Sequence, residues 1–208
     1  MVFLEKILCI YFCKCVTSNN IDAPDQKSNA SITDDEIVAE CFLFFAAGYD
    51  TSATTLSYAA YELARQPDIQ EKIRQEIKKV LEKYNNKMTY DGLGELVYAE
   101  KVIYETLRKY PLVPTISRVC TKAYKVPGSD LTIDKGTVVK ISAMGLHMDA
   151  EYYRNPEVFN PDRFDGDGDI KKPDFTFLPF GEGPRICIGS RDLISGFWDQ
   201  AYTGNWKP

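Results

Sequence analysis

From Ile37 to Ala47 the chain is apolar almost all round, and polar residues crowd in on both sides. Ahead of this run, Thr33-Asp34-Asp35-Glu36 forms a capping box, with Thr33 as the cap and Glu36 three places on. Gln66-Pro67 ends the pattern, because proline breaks the helical ladder. The spacing therefore predicts one helix from about Asp34 to Arg65. Some thirty residues, at about 1.5 Å each, cross a whole domain. The prediction is a central helix whose apolar first half is buried in a large core.

A second helix starts at Pro67, with proline in its first turn, and runs to about Lys83. Glu71, Gln75, Glu82, Lys72, Lys78 and Lys79 give it a solvated face with no binding function. Asn85-Asn86-Lys87 is a loop, and Thr89-Tyr90-Asp91 opens a short segment interrupted by Gly92 and Gly94. Helical spacing returns from Leu96 to Tyr110, with Leu96, Val97, Val102, Ile103, Thr106 and Leu107 on the core side and Pro111 closing it. Beyond Pro111 the pattern turns to β. Tyr124-Lys125-Val126, Leu131-Thr132-Ile133 and Thr137 to Ser142 are short strands, parted by the turns Pro127-Gly128-Ser129-Asp130 and Asp134-Lys135-Gly136. The fold class predicted is mainly α with a small β-sheet.

The ends of the chain read differently. Leu4, Ile7, Leu8, Tyr11, Phe12 and Cys15 share one helical face, but the run from Met1 to Val16 is too short to span a bilayer. An amphipathic surface or packing helix is expected there, with a membrane-associated segment as the sharper alternative. Residues 17–31 read as a linker, and Asp165 to Lys172 as a flexible acidic loop that lacks the twelfth-position Glu of a calcium-binding EF-hand. Residues 192–208 form a divergent tail in which Gly196 and Gly204 interrupt any helix.

Composition narrows the classes. A 208-residue chain with 44% hydrophobic and 26% charged residues has an ordinary globular balance, and its net charge of −5 gives no reason to expect a nucleic-acid partner. The six cysteines have no disulfide-framework or zinc spacing, which points to a reducing environment. A single histidine excludes every multi-histidine metal site.

Three stretches carry chemistry. Phe180-Gly181-Glu182-Gly183-Pro184-Arg185-Ile186-Cys187-Ile188-Gly189 puts one cysteine among three glycines, a proline and an arginine. Such a turn lets backbone approach a flat ligand, and positive charge beside a thiol favours its ionised form; a structural cysteine in a Gly-Pro loop is the plainer reading. Mid-helix, Ala47-Gly48-Tyr49-Asp50-Thr51-Ser52 sets polar groups in apolar surroundings, either where the helix emerges to solvent or where it opens over a ligand. Glu105 and Arg108 stand three apart on one helix face, which for an exposed pair is surface decoration worth a few tenths of a kcal/mol.

Together these stretches resemble the cytochrome P450 family, the haem-thiolate monooxygenases. Phe-x-x-Gly-x-Arg-x-Cys-x-Gly is similar to its haem-binding signature, and Ala47 to Ser52 to its oxygen-activation motif. Glu105-Thr106-Leu107-Arg108 resembles its Glu-x-x-Arg motif, and Pro161-Asp162-Arg163-Phe164 the segment that completes a buried triad with it. The resemblance runs from 31 to 191 and is closest to the microsomal, xenobiotic-metabolising branch typical of insects. It implies a partial P450 fold: a long central helix, the Glu-x-x-Arg helix and a cysteine-ligand loop.

By that resemblance Cys187 is the axial ligand of a haem b iron, Arg185 and Arg118 clamp the propionates, and Phe180 packs near the thiolate. Gly183 and Gly189 let the backbone approach the macrocycle. Thr51 hydrogen-bonds the activated oxygen, Asp50 relays protons, and Gly48 makes room for oxygen and water. Glu105, Arg108 and Arg163 are structural. Val113, Pro114, Thr115, Phe44, Phe45 and Ala47 line a substrate pocket, or equally pack a core. His147 stands where the family has a histidine followed two residues later by Asp, and no catalytic role is assigned to it. The implied reaction puts one atom of O2 into a lipophilic molecule with electrons from an NADPH-dependent flavoprotein reductase, at the cytoplasmic face of the endoplasmic reticulum membrane. The family's enzymes are much longer, and after Arg191 they continue into an apolar helix that the tail does not match. The competing expectation is therefore a truncated, non-catalytic fragment that does not hold haem.

Overall fold

A computed structural model describes residues 32–165 and 174–190. The expectations for the first sixteen residues, the linker, the tail and most of the acidic loop lie outside the described residues. The chain divides into two compact units, the first ending at Thr51 and the second beginning at Ser52. The fold is mainly helical with a small β region.

Helix α1 spans Asp34–Arg65, the limits set by the capping box and by Gln66-Pro67. Thr33 N and Oγ1 donate to Glu36 Oε2 at 2.9 and 3.0 Å, and Glu36 N donates back to Thr33 Oγ1 at 3.3 Å. The expected burial of its first half is not found. Phe42 is 71% exposed, and Val38, Leu43, Phe45 and Tyr49 also face solvent. A helix that is apolar all round needs neighbours on every side, and the described part of the first unit holds one helix only.

In the second unit, α1 buries Thr55, Ala59 and Glu62. Helix α2 (Pro67–Lys83) buries Ile73 and Val80. The short α3 (Tyr90–Leu93) is capped by Thr89, whose Oγ1 accepts from Gly92 N. Helix α4 (Val97–Lys109) is the most deeply set, with Ala99, Val102, Ile103, Glu105, Thr106, Leu107 and Arg108 buried. These faces, with Leu96 and Phe159, form one apolar core. Val97, expected on the core side, is instead about half exposed.

Helix α4 has no side-chain cap of its own at Leu96. Glu76 of α2 takes that role from outside, accepting from Tyr98 N at 2.8 Å and Ala99 N at 3.0 Å. A carboxylate on free N–H groups at the positive end of a helix is favourable both as a hydrogen bond and against the dipole.

Beyond α4 the described residues hold four strands in two antiparallel pairs: β1 (Thr115–Val119) with β4 (Val138–Ser142), and β2 (Tyr124–Lys125) with β3 (Thr132–Ile133). The sequence pattern does not predict β1. Its segment is exposed apart from a half-buried Ile116, so it has little apolar alternation, and its identity comes from the register with β4. Helix α5 (Ala143–His147) follows at once, capped by Ser142. Two 3-10 turns, Pro161–Phe164 and Gly183–Arg185, follow among the described residues.

Candidate functional site

Glu105 and Arg108 share a face of α4 because they stand three apart on it, and neither side chain is exposed. Arg108 Nε and Nη2 donate to Glu105 Oε2 and Oε1 at 2.8 and 2.9 Å, a fork-to-fork pair. The Pro161–Phe164 turn brings in Arg163, whose Nε donates to Glu105 Oε1 at 3.0 Å. Asn160 N donates to the same oxygen at 2.9 Å. The guanidinium groups then reach backbone: Arg108 to the carbonyls of His147 (2.8 Å) and Pro156 (2.7 Å), Arg163 to those of Arg154 (3.0 Å) and Val158 (2.9 Å). Buried charge survives only when paired and hydrogen-bonded, and this cluster meets both conditions.

His147, at the end of α5, is fully buried. Its Nε2 accepts from Leu178 N at 2.9 Å, while Nδ1 has no partner among the described residues. Burial, reinforced by the Arg108 charge, pushes the imidazole down to about 4, so it is neutral at pH 7. The ring lies 5.3 Å from that of Phe177.

The cysteine loop follows directly. Gly181 and Gly183 take φ of +71° and +81°, a conformation that favours glycine, so the glycine-rich composition has a backbone cause here. Gly181 N donates to Leu178 O at 3.3 Å, Ile186 N to Gly183 O at 3.0 Å, and Cys187 N to Phe180 O at 2.9 Å. Phe180 packs against the apolar core, which anchors the start of the loop. Cys187 and Arg185 are exposed, and a Cβ on Gly189 would stand 4.0 Å from Cys187 Sγ.

Arg118 projects from β1, exposed, with Nη1 donating to the Ser117 carbonyl at 2.9 Å. Val113, Pro114 and Thr115 are exposed. In the first unit, Thr51 Oγ1 donates to Ala47 O at 2.6 Å, Asp50 is exposed and Gly48 is half-buried within the helix. Phe45 and Ala47 are exposed there and Phe44 is half-buried. The structure thus brings together Glu105, Arg108 and Arg163, and sets Phe180, Gly183, Arg185, Cys187 and Gly189 in one loop.

Sequence reasoning missed a second buried carboxylate. Glu62 Oε1 accepts from Lys109 Nζ at 2.8 Å and Tyr110 OH at 2.6 Å, and its Oε2 from Gln66 Nε2 at 3.2 Å. Burial pushes this carboxyl up, but hydrogen bonds and charge from Lys109, with the Tyr110 bond, leave it below its ordinary range. Burial and the same bond push the Tyr110 phenol upward. The missable feature is its position: Glu62 reads as one more polar residue near a helix end.

The family model of cytochrome P450 matches residues 11–191. The chain belongs to the cytochrome P450 family. It is 46% identical over 175 residues to cytochrome P450 6k1 of Blattella germanica, covering 84% of this chain and 33% of that protein. Against cytochrome P450 6B6 of Helicoverpa armigera the identity is 46% over 189 residues, 91% of this chain and 37% of the relative. Against probable cytochrome P450 6a20 of Drosophila melanogaster it is 49% over 160 residues, with 77% and 32% covered. The chain spans about a third of the length of these relatives.

P450 relatives bind haem, and the donor set fits it: an exposed thiol whose own amide is tied back to Phe180, in a loop opened by left-handed glycines. No helix of the described residues is long and apolar enough to cross a membrane.

Proposed function

We propose that this chain carries the cysteine-ligand half of a haem-thiolate monooxygenase that inserts one atom of O2 into a lipophilic small molecule. Its electrons come from an NADPH-dependent flavoprotein reductase, at the cytoplasmic face of the endoplasmic reticulum membrane. The observation that carries this reading is the loop itself, which holds Cys187 exposed while Phe180 anchors the turn in the core. Bound haem would supply a redox-active iron for O2 chemistry, with the Cys187 thiolate as its protein ligand.

The chain's own residues do the rest. Cys187 Sγ would hold the iron, and the exposed guanidinium groups of Arg185 and Arg118 would pair with the propionates. Gly189, lacking a Cβ, keeps the space beside Sγ open. Thr51 donates its hydroxyl proton to the Ala47 carbonyl, and a rotation about χ1 would redirect that donor towards a ligand. Asp50, exposed one residue earlier, exchanges protons with solvent and resupplies that hydroxyl.

A second reading, a non-catalytic piece that does not hold haem, is favoured by the solvent-facing apolar stretch Val38 to Tyr49. One experiment separates the two: a reduced carbon monoxide difference spectrum of the 208-residue chain expressed with added haem. A red-shifted thiolate-type Soret band that is lost in Cys187→Ser supports the monooxygenase reading. Absence of haem uptake supports the second.

A further inference from the structure

The segment that leads into the cysteine loop is held in a conformation with local strain. Phe175 has φ of +66°, and a bulky residue takes the left-handed region only where its surroundings enforce it. Two side chains hold the residues just after it. Tyr153 OH donates to Thr176 O at 3.1 Å, and His147 Nε2 accepts from Leu178 N at 2.9 Å. From Leu178 a relay of backbone bonds continues inward: Leu178 O takes Gly181 N, and Phe180 O takes Cys187 N. On its other side, His147 is fixed through its own carbonyl by Arg108.

The ring pays for this place with an Nδ1 that has no partner among the described residues and must carry the proton when Nε2 accepts. A buried, unmatched N–H is costly, so a purely space-filling role would suit an apolar residue better. The charged group nearest the ring is the Arg108 guanidinium, itself paired with Glu105 and through it Arg163, and the rings of Phe177 and Tyr153 pack beside it.

We propose that His147 is a positioning residue for Cys187: its Nε2 tethers Leu178 and thereby couples the buried Glu105–Arg108 pair to the loop that presents the thiol. The proposal rests on the monooxygenase reading for its purpose, not for its geometry. Its role is to set the direction in which Sγ is offered, without touching the cofactor.

The test is residue-resolved amide hydrogen exchange on the full 208-residue chain without haem, comparing wild type, His147→Gln and His147→Asn. The Gln amide oxygen reaches the place of Nε2, whereas that of Asn stops near the place of Nδ1. In His147→Asn the amides of Leu178, Gly181 and Cys187 are expected to exchange about tenfold faster, with Val102 to Thr106 of α4 unchanged; His147→Gln restores slow exchange. Equal protection in both variants overturns the proposal, as does equal loss. Loss of α4 protection in His147→Asn also overturns it, by making the histidine a core residue and no tether. Where haem is taken up, His147→Asn shifts the carbon monoxide spectrum away from the thiolate-type band and His147→Gln restores it. Failure of all three forms to bind haem counts against the monooxygenase reading alone, because the exchange result stands without it.

Discussion

Arg163 Nε meets Glu105 Oε1 at 3.0 Å across 58 residues of sequence, and Glu105 already carries the fork of Arg108. One carboxylate therefore answers two guanidinium groups, and the three removals are not equivalent. Glu105→Ala strands Arg108 in the interior, a loss of roughly 3–5 kcal/mol, which is a large part of the total stability of a domain. Arg163→Ala leaves the inner pair intact and costs less. Urea titration is expected to rank Glu105→Ala well below Arg163→Ala, with haem incorporation abolished in the former. Equal midpoints for the two would contradict the inner-and-outer arrangement.

The pH dependence of stability follows from His147. Its folded pKa is about 4, below the ordinary 6.5, so the unfolded chain binds the extra proton first. Stability is therefore full above about 6.5 and falls as pH drops from there towards about 4, by up to about 3 kcal/mol. Glu62, held below its ordinary range, loses its contribution only in the more acid window where its folded form protonates. Thermal midpoints measured from pH 7 to pH 4.5 should decline in the wild type and flatten in His147→Gln. A parallel decline in both would place the titrating group elsewhere.

Gly183 and Gly189 separate backbone strain from space for a ligand. Gly183 has φ of +81°, and an added methyl group there would meet no described atom within 4 Å, so in the haem-free chain Gly183→Ala acts through strain, about 1–2 kcal/mol. A Cβ on Gly189 makes only ordinary contact with Cys187 Sγ at 4.0 Å. Gly189→Ala should leave unfolding of the haem-free chain within about 0.5 kcal/mol of wild type and still weaken haem binding. Haem titration alongside urea unfolding distinguishes them. Identical behaviour of the two variants would remove the distinction.

The limits of α1 were legible because a capping box and a proline are local signals, as were α2 and α4. The burial of α1 was not, since an apolar run records what the helix wants and not what is beside it. Strand β1 escaped because its partner β4 lies beyond an intervening hairpin. Glu105 and Arg108 stand at a fixed helical spacing, whereas Arg163 and the cysteine loop could be named from sequence only through their resemblance to family motifs. Glu62, Glu76 and the Nε2 bond of His147 could not. Each depends on how one helix or loop is registered against another, which no short spacing encodes.

Helix α4 is held from three sides by groups of very different chain position: Glu62 and Glu76 precede it, and Arg163 comes long after. On a ribosome adding about 5–20 residues per second, the 58 residues that separate Glu105 from Arg163 take roughly 3–12 s to make. Through that interval the carboxylates for both ends of the helix have already been synthesised, and Arg108 can keep Glu105 paired while its second cation is still to come. The order of synthesis thus matches the order in which the buried charges need their partners, and the half-built chain never has to bury an unanswered one.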